Sequence, residues 1–229
     1  KTMTMQRFGG LAAFICAATY IFGFTLLVTV FSESGFGTNR IDAAGVVQFT
    51  VDNQALMITW FTVIYVLNAL ALAVLVVDLA GRLRDKSPAW GTMTMAFGLV
   101  WTTLVLGAGM IGNVTTETMA VMAPNDFEAA VQTWEALHAV ELGLGGGNEI
   151  AGGVWILCVS LAGMIHRALG KIVIGLGLLT GIGGLLTIFP PVGEIAGAVF
   201  GLGAIAWFIA VGLAFLFKRE VAAMQAAGS

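Results

Sequence analysis

The sequence predicts an all-α, polytopic membrane protein of six transmembrane helices, with N and C termini cytoplasmic and an amphipathic helix on the outer surface. Three observations carry that prediction. Of 229 residues, 59% are hydrophobic and only 10% charged, where soluble domains carry about 25% charged residues. Six apolar stretches, 8–31, 54–79, 93–115, 148–166, 171–189 and 194–217, reach or approach the roughly 20 residues that a bilayer core about 30 Å thick requires. The basic residues are also one-sided. Lys1, Arg7, Arg82, Arg84, Lys86, Arg167, Lys171, Lys218 and Arg219 fall on one face of a six-span arrangement, and Arg40 alone on the other. That is the asymmetry expected of a cytoplasmic face. The length suits a single domain over residues 1–229, set as a multi-pass protein in the plasma membrane.

Each element follows from local pattern. The run from Phe8 to Phe31 outlasts the apolar core of a signal peptide, about 7–15 residues, and reads as a retained first helix. The spans are apolar on every face, unlike soluble amphipathic helices. Helices satisfy their own backbone groups in lipid, and no strand-like alternation supports a β-barrel. Spans one to three are bulky, with Tyr20, Tyr65, Thr102 and Thr103 among their polar members. Asn68, mid-span, is expected to bond between helices. Asp78 and Arg82, four residues apart, are expected to pair at the inner boundary. Inner connections are short (Ala80 to Thr92, His166 to Gly170), and Pro190-Pro191 is read as the outer turn between spans five and six.

Spans four to six are rich in glycine. Eighteen of the 31 glycines lie between Gly143 and Gly212, in repeats such as Gly177-x-x-x-Gly181 and Gly197-x-x-x-Gly201. Small faces let helices approach closely. They are expected to pack within the chain, and the same faces could dock a protein partner or a second copy.

The outer segments 32–53 and 116–147 hold nearly all the polar chemistry, and ordered loops of that length usually have a task. Residues 125–142 read as a surface helix opened by Pro124 and Asn125, with Glu128 three residues on in a loose capping box. Phe127, Val131, Trp134 and Leu142 share one face; Glu128, Gln132 and Glu135 share another. His138 and Glu141 fall beside the apolar face, about 60° apart by the helical period, and need partners there. The charge-free stretch Ile150 to Ile165 spans only about 24 Å, which draws Asn148 and Glu149 toward the apolar boundary, where an acid is a functional candidate. A polar site of His138, Glu141, Asn148 and Glu149, within reach of Asn113 and Glu117, is one reading. A structural network pinning the surface helix is the blander one, since buried polar groups are usually paired for structure alone. His138, Glu141 and Glu149 also form a conceivable metal ligand set.

The chain resembles a family of bacterial six-span membrane proteins known as a domain of unknown function. The resemblance is carried by Leu137-His138, by Gly145-Gly146-Gly147-Asn148-Glu149-Ile150 and Gly152-Gly153-Val154-Trp155. It continues through Arg167-Ala168-Leu169-Gly170 and Leu185-Leu186-Thr187-Ile188-Phe189-Pro190, and less specifically through Arg7-Phe8-Gly9-Gly10-Leu11. It implies a six-helix architecture and supplies no catalytic residue, cofactor or substrate.

Several functions are disfavoured by what the sequence lacks. No phosphate-binding loop, G-x-S-x-G, HExxH or basic nucleic-acid patch is present. No lysine sits mid-span to form a retinal Schiff base. His166 lies a membrane thickness from His138, which disfavours a bis-histidine haem. The expected function is that of an accessory subunit of a membrane complex or a binder of a lipophilic small molecule. A metal-dependent enzyme at the outer leaflet using His138, Glu141 and Glu149 is the alternative, and a small transporter the next. No cofactor is indicated, and the lipid bilayer is the one partner that composition demands.

Overall fold

The computed structural model describes residues 5–32, 35–36, 41–146 and 148–227, with side chains except at 5, 6, 146 and 217–227. Lys1, Glu33, Arg40 and Gly147, and the side chains of Lys218 and Arg219, lie outside the described residues. Those described are helical almost throughout, with no strand among them. The helices are α1 (Met5–Thr29), α2 (Ala43–Asp52), α3 (Gln54–Phe61), α4 (Asn68–Arg84), α5 (Pro88–Met122), α6 (Phe127–Glu141), α7 (Ile150–Ile165), α8 (Lys171–Leu186) and α9 (Pro190–Ala227). A π-helical turn, Thr62–Leu67, joins α3 to α4, and a second, Leu142–Gly146, follows α6.

Five helical stretches are long and apolar enough to cross a membrane: Arg7–Thr29, Gln54–Arg84, Pro88–Met122, Phe127–Ile165 and Pro190–Leu216. The stretch expected as span five is the shorter apolar helix α8, with 16 residues. At 1.5 Å per residue it covers about 24 Å, less than the bilayer core. The helix stops at Leu186 because Thr187 turns its hydroxyl back onto the Gly184 carbonyl at 2.7 Å. The reversal to α9 runs through Thr187, Ile188 and Phe189, so Pro190 and Pro191 are not the turn itself. They form the first turn of α9, where a missing N–H costs nothing and a fixed φ is favourable.

The chain groups into two compact units. The first comprises Lys1–Ala18, Leu70–Thr102 and Glu149–Ser229; the second comprises Thr19–Ala69 and Thr103–Asn148.

The first unit is built on aromatic rings and glycine. Trp101, Trp155, Trp207, Phe200 and Phe208 are almost wholly buried. Trp101 stacks on Phe208 at 6.4 Å and 4°, and Trp155 meets Trp207 edge-on at 5.5 Å. Trp155 Nε1 donates to the Thr94 carbonyl at 3.1 Å. α7 and α8 touch backbone to backbone: a β-carbon added at Gly153 would lie 2.8 Å from the Gly181 carbonyl oxygen, and one at Gly184 would lie 2.8 Å from that of Glu149. Gly183 admits Val199 and Phe200 of α9 in the same way. Much of the glycine surface is therefore used inside the chain, whereas Gly175 and Gly197 face open space.

α7 ends in a Schellman arrangement. The Ala168 N–H donates to the Gly163 carbonyl at 2.9 Å and the Arg167 N–H to that of Met164 at 3.4 Å, with Arg167 at φ 53° in the position glycine usually takes. On the expected Asp78–Arg82 pair, Arg82 Nε donates to Asp78 Oδ2 at 3.1 Å, and the guanidinium sits 3.7 Å over the Phe215 ring. Cys16 and Cys158 are buried free thiols.

Three buried polar atoms among the described residues of this unit lack a partner, His166 Nε2 and a facing pair. Ser160 Oγ and Trp207 Nε1 are buried without a hydrogen-bond partner, and both border the space above Gly177, where an added β-carbon would collide with Ser160 Oγ and lie 2.7 Å from Trp207 Nε1. An unsatisfied buried group costs about 1–3 kcal/mol. Ser160→Ala should therefore leave the thermal midpoint unchanged or raise it, in contrast to an ordinary buried serine; a marked fall would show that the hydroxyl is bonded.

The second unit contains a ten-residue helix within residues 32–53. Asp42 caps α2, its carboxylate accepting from the Gly45 N–H at 3.0 Å. Asp126 caps α6 in the same way, through the Ala129 N–H at 3.0 Å. The expected opening at Asn125 is thus displaced by one residue, because Asp126 has the extended backbone a cap requires. Asn125 instead back-bonds to the Val121 carbonyl at 2.9 Å. The core of this unit gathers Phe31, Phe36, Val46, Val47, Met57, Trp60, Phe61, Met119, Ala130 and Trp134.

Candidate functional site

The site in the second unit begins with a helical spacing. His138 and Glu141 are one turn apart on α6, and the imidazole Nδ1 meets Glu141 Oε2 at 2.9 Å. Glu141 is 4% exposed. Its other oxygen, Oε1, accepts from the Tyr65 hydroxyl at 2.8 Å. With Glu141 as a carboxylate, which only accepts, the contact assigns the hydrogen to Nδ1, and in the neutral imidazole the Nε2 lone pair is then an acceptor. Nε2 has no hydrogen-bond partner among the described residues.

Tyr65 reaches Glu141 from the π-helical turn after α3. Such turns widen the helix by one residue and re-aim its side chains, and they recur at functional sites. Asn113 Nδ2 donates to the Thr62 hydroxyl at the start of that turn, at 3.1 Å, and Asn113 Oδ1 is buried without a partner. Gly109 makes room for Tyr65, whose Cβ would stand 2.5 Å from a β-carbon at 109, and Gly112 makes room for Phe61. The other end of the triad is bounded by the second π turn, which Gly145 breaks at φ 135°, a conformation that favours glycine.

Aromatic rings frame the triad. Trp134 stacks on His138 at 4.6 Å and 18°, Phe36 lies 5.5 Å from the imidazole, and Trp60 meets Phe36 at 5.4 Å. A cavity of about 10 Å³ opens among Phe36, Met57, Phe61, Thr115, Trp134, His138 and Glu141. That is room for about one water-sized group. The His138 side chain is 14% exposed, so the niche is not sealed.

Of the residues expected at a shared polar site, the structure joins His138 to Glu141. Asn113 bonds Thr62, Glu117 is exposed, and Asn148 is exposed at the end of the second unit. Glu149 belongs to the first unit, where its backbone N–H donates to the Thr187 hydroxyl at 3.2 Å. No group of three or more His, Cys, Asp or Glu side chains is arranged to hold a metal ion among the described residues, so the set His138, Glu141 and Glu149 rests on the sequence pattern alone. Glu128, Gln132 and Glu135 face outward and Trp134 inward, as the helical period requires. Phe127 and Leu142, expected on the apolar face with Trp134, are 38% and 36% exposed. Tyr65, Thr115 and Phe36 are the site residues that sequence reasoning missed. A tyrosine within a span was the available signal, since a buried hydroxyl requires a partner.

Chemically, a carboxylate-held imidazole accepts a hydrogen bond or proton at Nε2, or contributes one ligand to a metal. No family model, curated protein or solved structure matches the chain. The chain is thus a multi-pass helical membrane protein whose functional reading rests on its own geometry.

Proposed function

We propose that this protein binds a lipophilic small molecule in the membrane, with the aromatic niche of the second unit as the site and His138 as its polar contact. The observation that carries this reading is the state of the imidazole. Glu141 is held by Tyr65 and His138, which fixes the ring and leaves Nε2 without a partner among the described residues, in a side chain that lines a cavity. A network serving only to pin α6 needs no free nitrogen, and the His138 side chain is 14% exposed, so that nitrogen is open to an incoming group. Aromatic walls with a few convergent polar groups are the usual make-up of a small-molecule site.

The topology belongs to the same proposal. α8 crosses the membrane as the fifth of six spans, both termini are cytoplasmic and the niche lies on the outer side. The one-sided distribution of Arg82, Arg84, Lys86, Arg167 and Lys171 supports this arrangement, in a bacterial inner membrane. Shortness of α8 is met by local thinning of the bilayer.

Native mass spectrometry after extraction in mild detergent tests the reading. The wild-type chain should carry a lipophilic adduct, and His138→Ala should lose it while keeping its elution profile. A bare chain in both cases would remove the proposal. A second polypeptide in place of the adduct would support an accessory-subunit role instead.

A further inference from the structure

We infer that the ligand is a lipophilic primary amine, held as its ammonium group in the cavity beside His138 and Glu141; this rests on the binding-site reading above. Four observations converge on that chemistry. The first is size. A cavity of about 10 Å³ has room for about one water-sized group, which matches an ammonium or a hydroxyl more closely than a carboxylate, sulfonate or phosphate.

The second is hydrogen-bond polarity. An ammonium has three N–H donors and no acceptor. His138, Glu141 and Thr115, all lining the cavity, supply acceptors: the imidazole Nε2, the remaining lone pairs of the carboxylate and the threonine hydroxyl. Two further threonines at the cavity are already committed, Thr50 to the Val46 carbonyl at 2.7 Å and Thr116 to that of Gly112 at 2.9 Å.

The third is charge. Over residues 19–69 and 103–148 the sequence carries one basic residue, Arg40, against Glu33, Asp42, Asp52, Glu117, Asp126, Glu128, Glu135 and Glu141. An anionic head would meet a buried carboxylate with no arginine or lysine among the described residues lining the cavity. A cation is attracted by the same field.

The fourth is the wall. Phe36, Phe61 and Trp134 border the cavity, and aromatic faces attract ammonium groups strongly when water is excluded.

Matched probes test the class. 2-Phenylethylamine, 2-phenylethanol and 3-phenylpropanoate share a phenyl tail and differ at the head. Ligand-observed NMR on the full chain in a zwitterionic detergent should show saturable binding of the amine, weaker binding of the alcohol and none of the carboxylate. His138→Ala and Glu141→Gln should each weaken the amine by about tenfold, the loss of one charge-assisted hydrogen bond. Thr115→Val, which conserves volume, should weaken it less, and the exposed control Glu135→Gln should leave it unchanged. Alcohol binding as tight as the amine, or preferred binding of the carboxylate, with dependence on His138, would overturn the amine inference and leave the binding site standing. Amine binding that is insensitive to His138, Glu141 and Thr115 would overturn it as well, as a surface effect. Absence of any His138-dependent binding would remove both.

Discussion

Gly153→Leu should yield no folded protein, the largest effect expected of any single substitution in the first unit. The nearest neighbours of an added β-carbon are the Gly181 carbonyl oxygen at 2.8 Å, the Gly184 carbonyl carbon at 3.0 Å and the Leu185 nitrogen at 3.0 Å. All three are backbone atoms, so no rotamer change can relieve the clash. Gly153→Ala alone should cost about 1–3 kcal/mol, in the range of overpacked cores. The same exchange at Gly175 or Gly197, with nothing within 4 Å, should be neutral or stabilising by about 0.5–1 kcal/mol through helix propensity. Thermal unfolding in detergent, followed by size-exclusion chromatography, separates the cases. Equal losses at 153 and 175 would show that α7 and α8 do not meet at Gly153.

Glu141→Ala should destabilise the second unit by about 2–5 kcal/mol, the cost of removing the shared acceptor of two hydrogen bonds in the interior. Two groups lose their partner at once, the Tyr65 hydroxyl and His138 Nδ1. Tyr65→Phe removes one bond and one donor together, so it should cost only about 0.5–1.5 kcal/mol. A double-mutant cycle between positions 65 and 141 should then show strong non-additivity, although 76 residues separate them. Additive losses would mean that the hydrogen bond does not form in solution.

The sequence made the helices legible and their ends less so. Hydropathy marks apolar length, which is why the stretches 8–31 and 54–79 coincide closely with observed helices. It does not mark where a helix leaves the bilayer, so α5 and α9 run well past 93–115 and 194–217. Nor does it distinguish an α turn from a π turn, because both bury the same apolar residues. α2 escaped notice among the polar residues 32–53 because its signal is a single cap, Asp42, rather than an apolar run. The pairing of His138 with Glu141 was readable from i,i+3 spacing. Their link to Tyr65 was not, since it depends on tertiary placement and on the wide turn that carries the tyrosine. Glu149 was grouped with His138 by its position at the edge of a short span, yet its backbone is tied to Thr187 at the end of α8.

The stack of Trp134 on His138, 4.6 Å between rings at 18°, gives this protein a built-in optical monitor. An indole in face contact with an imidazole responds to any charge that settles on or beside that ring, since both act on the same π-electrons. Subtracting the emission of Trp134→Phe from that of the native chain isolates this one fluorophore from the five other tryptophans. Occupancy of the niche then becomes a colour and intensity change readable in intact membranes, with no label attached.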